Sequence, residues 1–298
     1  MNIKTYAGPE QTVDPKLRRL AEGVWLTCGR TVVLLGINTL ALIDPGDEPI
    51  LAGTRAIGPL ADALGLSEAT GKPIGLVLVT HAHPDHVANL PALIEFARGD
   101  PRFSRLKIVA HADSPLRPDL AIATETALEE LDGLRAIPLV GHSPYGDDLA
   151  FYHQAGRILF SGDIVQPKGE SWSETFYPSP YPYFTDGDRY AASLEKLLAL
   201  PFETLVTGHR EVRFHPAGRR WVELTRRAIL AVEKEVADWR GPRDPLTAGK
   251  AIYRKLCLER GIDEAAIAAR MSPEGDSAFD RYDMPGILHY WKRLASHG

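Results

Sequence analysis

The chain predicts an α/β (α+β) fold of layered sheets and helices, followed by an all-helical C-terminal segment. Three observations predict it. Residues 24–43 are dominated by short β-branched runs, and residues 74–80 form a continuous apolar run of the kind that belongs to a strand buried on both faces. Beyond residue 216 the strand patterns vanish and helical periodicity takes over. Runs of strands with interspersed helices argue for packed layers rather than strict βαβ alternation.

In chain order, residues 24–28, 31–37 and 39–43 read as strands, the first two joined by Gly29-Arg30 as a tight hairpin loop. Asp44-Pro45-Gly46-Asp47 ends the third in turn chemistry. A helix is expected over residues 60–66, a buried strand over 74–80, and a helix from Asp85 onward, where Val87, Leu90, Leu93, Ile94 and Ala97 recur at helical spacing. Residues 106–110 predict a strand, 121–134 a helix, and 148–153 with 157–160 a hairpin. Residues 166–188, rich in proline and tyrosine, lack periodicity and predict a long functional loop. A helix follows over 188–200 with Asp188 as its N-cap, then a short strand over 204–207. Helices are expected over 221–239, 245–260, 262–271 and 284–296, so the domain boundary is placed at 215/216.

At 298 residues and 44% hydrophobic composition, the chain can bury a full core without covalent staples. Cys28 and Cys257 stand far apart and in no CxxC pattern, which argues against a disulfide framework or a thiolate zinc site. A net charge of −5 offers no electrostatic footprint for nucleic acid. The first 13 residues lack an apolar signal-peptide core, and the apolar stretch 31–43 is shorter than the roughly 20 residues of a membrane span. The expectation is a cytoplasmic protein with a small-molecule substrate and neither nucleic-acid nor membrane partners. Homodimerisation stays open, with Trp221, Val222, Leu224, Ile229, Leu230 and Val232 either covering a flank of the fold or forming a dimer face.

The chemistry concentrates in Thr80-His81-Ala82-His83-Pro84-Asp85-His86, at the end of a buried strand and the start of a helix. Three imidazoles and a carboxylate within six residues suit zinc, iron or manganese. His81 and His83 can face one way while Asp85 and His86 enter the helix and face a neighbouring position, so one segment can serve two metals. No Ser-His-Asp pattern or glycine-rich phosphate loop competes with it.

This run resembles the H-x-H-x-D-H hallmark of the metallo-β-lactamase superfamily, and four further motifs follow the family order over residues 20–215. Gly141-His142-Ser143-Pro144 is similar to the family's third-histidine motif, Ser161-Gly162-Asp163 to its bridging-aspartate motif, and Thr207-Gly208-His209 to its last-histidine motif. Leu42-Ile43-Asp44-Pro45-Gly46 resembles the strand-end aspartate that supports the site from behind. One departure is Tyr145, which intervenes before Gly146 where the family commonly has glycine.

The resemblance implies a four-layer αβ/βα sandwich over residues 1–215, with residues 216–298 a helical extension. It implies two divalent metal ions, zinc first and iron or manganese as alternatives. His81, His83 and His142 would bind one, Asp85, His86 and His209 the other, with Asp163 bridging and Asp44 supporting the ligands. A metal-bridging hydroxide, oriented by Asp85, would attack an ester, thioester or lactone. The nearest group by motif resembles hydroxyacylglutathione hydrolases, thioesterases and lactonases. A mononuclear iron persulfide dioxygenase, or a phosphodiesterase or nuclease, of the same fold is the alternative. Tyr145, Tyr177, Tyr181, Tyr183 and the neighbouring Phe184 are candidate substrate contacts or loop anchors, while His111, His153 and His215 match no family motif and are read as structural.

Overall fold

The computed structural model describes residues 17–167, 179–271 and 277–296. They form two compact units. The first holds the described residues up to Pro138 with Leu149–Gly162 and Phe202–His215; the second holds Leu139–Asp148, Asp163–Pro201 and the residues from Pro216 onward.

The first unit contains both large sheets. Its strands are β1 (Arg18–Ala21), β2 (Val24–Leu26), β3 (Val32–Leu35), β4 (Leu40–Ile43), β5 (Leu51–Ala52), β6 (Arg55–Ala56), β7 (Ile74–Leu78), β8 (Phe103–His111), β9 (Leu120–Ile122), β10 (Thr126–Leu128), β11 (Leu134–Pro138), β12 (Leu149–His153), β13 (Ile158–Gly162), β14 (Thr204–Thr207) and β15 (Val212–Phe214). One sheet runs β1-β2-β3-β4-β7-β8-β9, antiparallel as far as β4 and parallel from β4 to β9. The other runs β10-β11-β12-β13-β14-β15, antiparallel except for β13 with β14. This is the α/β class the sequence predicts.

The two-residue period of a strand divides its side chains between two cores. Ala41 and Ile43 of β4 and Leu76 and Leu78 of β7 enter a core shared with Leu134, Phe151, Phe160 and Val206 of the other sheet. Leu40 and Leu42, with Ile74 and Val77, point the opposite way. There they meet Leu60, Ala63 and Leu64 of α1 (Gly58–Thr70) and Leu90 and Leu93 of α3 (Leu90–Ala97). The continuous apolar run at 74–78 is thereby explained: it is covered on both faces.

Two expected helices differ. The helix over 121–134 is instead β9, β10, a 3₁₀ turn at Glu129–Leu131 and the start of β11. Leu128 of β10, Leu131 of the 3₁₀ turn and Leu134 of β11 all reach the inter-sheet core, so their three-residue spacing arises from three successive elements. The helix expected from Asp85 through Ala97 is broken into α2 (Pro84–Val87) and α3. The His86 carbonyl accepts the Gly46 N–H at 2.9 Å, and Asn89 donates its side-chain amide to the carbonyls of Pro45 and Glu48. The turn after β4 thus captures groups that a continuous helix needs for itself.

The second unit carries α4 (Gly187–Leu198), α5 (Ala217–Ala237), α6 (Pro245–Glu259), α7 (Glu264–Arg270), a π-helical turn at Phe279–Asp283 and α8 (Met284–Ala295). The N-cap of α4 is Asp186, whose carboxylate accepts the Arg189 N–H, and not Asp188. Helix α5 packs on α4 and α8, and α8 also packs on α6. Trp221, Val222, Ile229 and Val232 are buried within the chain. Edge-to-face contacts link Tyr181, Phe184, Tyr190, Tyr253, Phe279 and Tyr290. Among the described residues no helix is long and apolar enough to cross a membrane.

Phe151, fully buried between the sheets, tests this packing. Phe151→Ala should lower the unfolding free energy by about 3–5 kcal/mol through lost burial and a residual cavity, measured by urea denaturation. A loss below about 1 kcal/mol would contradict the inter-sheet core.

Candidate metal centre

Strands β4 and β7 are parallel neighbours, so their C-terminal ends lie side by side. Such ends are where open α/β sheets place ligands. Asp44 follows β4, in the left-handed region at φ +47°, and is buried. Its N–H donates to Leu78 O at 2.9 Å, which fixes it beside Thr80. Asp44 Oδ1 accepts the Thr80 N–H at 2.8 Å; Oδ2 accepts the Thr80 hydroxyl at 2.7 Å and faces His86 Nδ1 at 2.9 Å. Three buried donors converge on one carboxylate.

Proton accounting then sets the histidines. A carboxylate only accepts, so His86 Nδ1 carries a proton, and in the neutral ring Nε2 presents a lone pair. The Thr80 hydroxyl has spent its only proton on Asp44, so at 3.2 Å it accepts from His81 Nδ1. His81 Nε2 is therefore also a lone pair, aimed at His83 Nδ1 3.0 Å away. Two tetrahedral ligands bonded at about 2.0–2.1 Å sit roughly 3.3 Å apart, so this pair has the separation of two donors sharing one cation.

Asp85 opens the short helix α2. Its Oδ2 lies 3.8 Å from His86 Nε2 and 3.8 Å from Nε2 of His209. His209 follows β14 and is held there by the Gly208 N–H, which donates to Gly162 O at 2.9 Å. Gly162, at φ +52°, has no room for a side chain, because a Cβ would stand 2.7 Å from Thr80. Arg30, in the β2–β3 loop, donates from Nη1 to Asp85 Oδ2 at 2.9 Å and to Asp85 O at 3.3 Å. Glu48 lies 3.5 Å from the same guanidinium and Asp47 3.9 Å.

In the second unit, His142 and Asp163 are both buried, with Nε2 and Oδ2 3.9 Å apart. The loop before His142 is set by Gly141, at φ +136°, where a Cβ would stand 2.3 Å from Tyr190. Asp148 accepts the N–H groups of His142 and Ser143 at 3.1 and 3.0 Å. Burial, opposed by those N–H groups, pushes the Asp148 carboxyl up to about 7. The Tyr183 ring meets that of His142 edge-on at 6.3 Å.

Within the first unit, His81 and His83 stand at ligand spacing and Asp85 lies between His86 and His209; within the second, His142 stands beside Asp163. The donor set of imidazole nitrogen and carboxylate oxygen fits zinc, iron or manganese. Each of the seven expected ligands has another expected ligand as a neighbour within its own unit. The tyrosines divide. Tyr145 is exposed and Tyr183 half-buried beside His142, whereas Tyr177 lies outside the described residues. Tyr181, expected as a substrate contact, is instead buried, its hydroxyl donating to Asp283 O at 3.0 Å, and Phe184 is buried against it. His111 and His153 each accept a turn N–H at Nδ1, consistent with structural roles.

Sequence reasoning passed over Asp148 and Arg30. Asp147-Asp148 at the head of an apolar strand was a usable signal, since a carboxylate there has few reasons to be buried except to bind N–H groups. Arg30 left no local signal, because its partner Asp85 is 55 residues away.

Residues 27–209 match the metallo-beta-lactamase superfamily. The chain is 26% identical over 267 residues to a hydroxyacylglutathione hydrolase of Cupriavidus taiwanensis, covering 85% of this chain and 90% of the relative. It is 31% identical over 186 residues to a hydroxyacylglutathione hydrolase of Ruegeria pomeroyi, covering 60% of this chain and 65% of the relative. Among solved structures, a beta-lactamase domain protein from Burkholderia ambifaria superposes with a TM-score of 0.54 at 18% identity, covering 86% of this chain and 88% of that one.

Asp44→Ala should orphan the Thr80 N–H, the Thr80 hydroxyl and His86 Nδ1. Unmet buried groups cost about 1–3 kcal/mol each, so a thermal or urea melt should show a loss of several kcal/mol. Imidazole ¹⁵N shifts should report the Nδ1-H tautomer of His86 in the parent protein and a mixture in the variant. An unchanged tautomer would remove Asp44 from this role.

Proposed function

The chain belongs to the metallo-beta-lactamase superfamily, and on that premise we propose that this enzyme, a hydrolase by family, is a two-metal hydrolase of thioester, ester or lactone substrates. The observation that carries the reading is the clustering of His81 with His83 and of Asp85 with His86 and His209 in the first unit, and of His142 with Asp163 in the second. The hydroxyacylglutathione hydrolase relatives support the thioester class. The proposed ligands are His81, His83 and His142 for one ion and Asp85, His86 and His209 for the other, with Asp163 shared. Zinc is the proposed metal and a small molecule the proposed substrate.

Bound metal supplies Lewis-acid polarisation of the scissile carbonyl and lowers the pKa of a water towards neutrality. The chain's own groups do the rest. Asp44 fixes the tautomer of His86 directly and that of His81 through Thr80, so both present Nε2 without reorganisation. Asp163 is set 3.9 Å from His142, and Gln166, with its amide 3.4 Å from His142 Nδ1, restrains that ring from the other side. Asp85, partly exposed, orients the attacking water through its carboxylate. Tyr183, stacked edge-on with His142, and exposed Tyr145 are the proposed substrate contacts.

Elemental analysis of the purified protein and hydrolysis assays on hydroxyacyl-thioester, lactone and phosphodiester panels test this reading. Bound zinc with thioester or lactone turnover, abolished by chelation, is the expected result. Asp85→Asn should lower kcat/KM by on the order of 10²–10⁴. Oxygen consumption on persulfides with one iron per chain would replace hydrolysis by dioxygenase chemistry, and absence of bound metal would overturn the metal reading altogether.

A further inference from the structure

His209 stands in the turn between β14 and β15. The Thr207 N–H donates to Glu211 O and the Arg210 N–H to Thr207 O, both at 3.0 Å, so Gly208, His209 and Arg210 form a tight hairpin loop. The last residue of such a loop takes the left-handed conformation, a place that glycine ordinarily fills. Here it is arginine, at φ +70°. A long side chain on that backbone is strained, and strain of this kind persists where the surroundings over-determine it.

The side chain shows what holds it. Arg210 Nη1 donates to Cys28 O, 182 positions away, in the β2–β3 loop. That loop is bonded on several sides. The Cys28 N–H donates to the Asp62 carboxylate of α1 at 2.9 Å, the Arg30 N–H to Glu48 Oε1 at 3.1 Å, and the Thr31 hydroxyl to Asp44 O at 2.9 Å. From the same loop Arg30 Nη1 reaches Asp85 Oδ2 at 2.9 Å and Asp85 O at 3.3 Å. The loop therefore joins two expected ligands, Asp85 by way of Arg30 and His209 by way of Arg210. Asp85 Oδ2 stands 3.8 Å from His209 Nε2. These ligands follow β7 and β14, which belong to different sheets, so no shared strand ladder sets that spacing.

We propose that Arg210 is a positioning residue that, through the β2–β3 loop, sets the separation of His209 from Asp85 and with it the geometry of the metal position those ligands serve. The inference deepens the two-metal reading and rests on it. The strained backbone after His209 aims the guanidinium at Cys28 O, and the planar fork of the guanidinium makes that bond directional. Groups standing behind metal ligands act in this way, by orienting what binds the ion.

Competition titration of the metal-free full chain with Zn²⁺, together with the visible absorption spectrum of its Co²⁺ form, reads ligand geometry without turnover. Arg210→Gly removes the guanidinium and relieves the backbone, since glycine adopts positive φ freely. The relief offsets the lost hydrogen bond, so this variant should melt near the parent temperature. Its Zn²⁺ affinity should nevertheless fall about tenfold or more, with an altered Co²⁺ spectrum. Arg210→Lys, which keeps a donor of shorter reach, should lie between. Asp62→Ala, which frees Cys28 from its other side and leaves Arg210 in place, should shift the Co²⁺ spectrum as well. If Arg210→Gly keeps the parent affinity and spectrum, Arg210 serves only the fold of the hairpin, and this inference alone falls. It falls too if affinity and melting temperature drop together with the spectrum unchanged, or if Asp62→Ala leaves the spectrum as it was. If the parent chain binds neither Zn²⁺ nor Co²⁺, the two-metal reading falls and this inference with it.

Discussion

One buried carboxylate organises the site. Asp44 sits where β4 and β7 end together, and it accepts the Thr80 N–H, the Thr80 hydroxyl and His86 Nδ1. Burying a charge is tolerated only when its lone pairs are met, and here the groups that meet them are the ones whose orientation the site requires. The left-handed backbone at Asp44 is a local strain of the kind that persists where surrounding bonds over-determine it. From this single residue follow the tautomers of His86 and, through Thr80, of His81.

The same turn explains why α2 is a single turn and not the start of a longer helix. Gly46 donates to the His86 carbonyl and Asn89 caps the Pro45 and Glu48 carbonyls, so the segment 84–89 is bound to the strand end as well as to itself. The Glu48–Arg30–Asp85 chain extends that grip to the edge of the ligand set. Backbone bonding thus comes from the turn after β4, and electrostatics from Arg30 of the β2–β3 loop held by that turn's Glu48. A change in the turn's geometry reaches the histidines and the carboxylate together, which ties folding of the first unit to readiness of the site.

The second unit contributes differently. His142 is placed by Asp148, which collects the loop N–H groups, and by Gly141, which lets the backbone pass Tyr190 with no Cβ between them. Tyr181, Phe184 and Tyr190 are spent on packing, the two tyrosine hydroxyls donating to the carbonyls of Asp283 and Ile164. An aromatic-rich loop next to a site invites assignment to substrate. Burial shows that most of its described rings anchor the loop.

The histidines and aspartates that stand together within each unit, the strand at 74–78 and the C-terminal helices were legible from the residues alone. Each is encoded by a dense local pattern: a histidine run, a motif at a strand end, or a sustained period of two or 3.6. Local pattern misled where two strand ends and the 3₁₀ turn between them imitated helical spacing at 128–134, and where tertiary bonds to the Gly46 turn interrupted a segment whose own periodicity was helical. The chain by itself determined which atoms could bind a cation, because donor chemistry resides in residue type. Only the tertiary structure decided which ring nitrogen of His81 and of His86 faces its supporting oxygen, and that Arg30 bonds the Asp85 carboxylate. Those depend on hydrogen bonds between residues tens of positions apart, and sequence spacing carries no record of them.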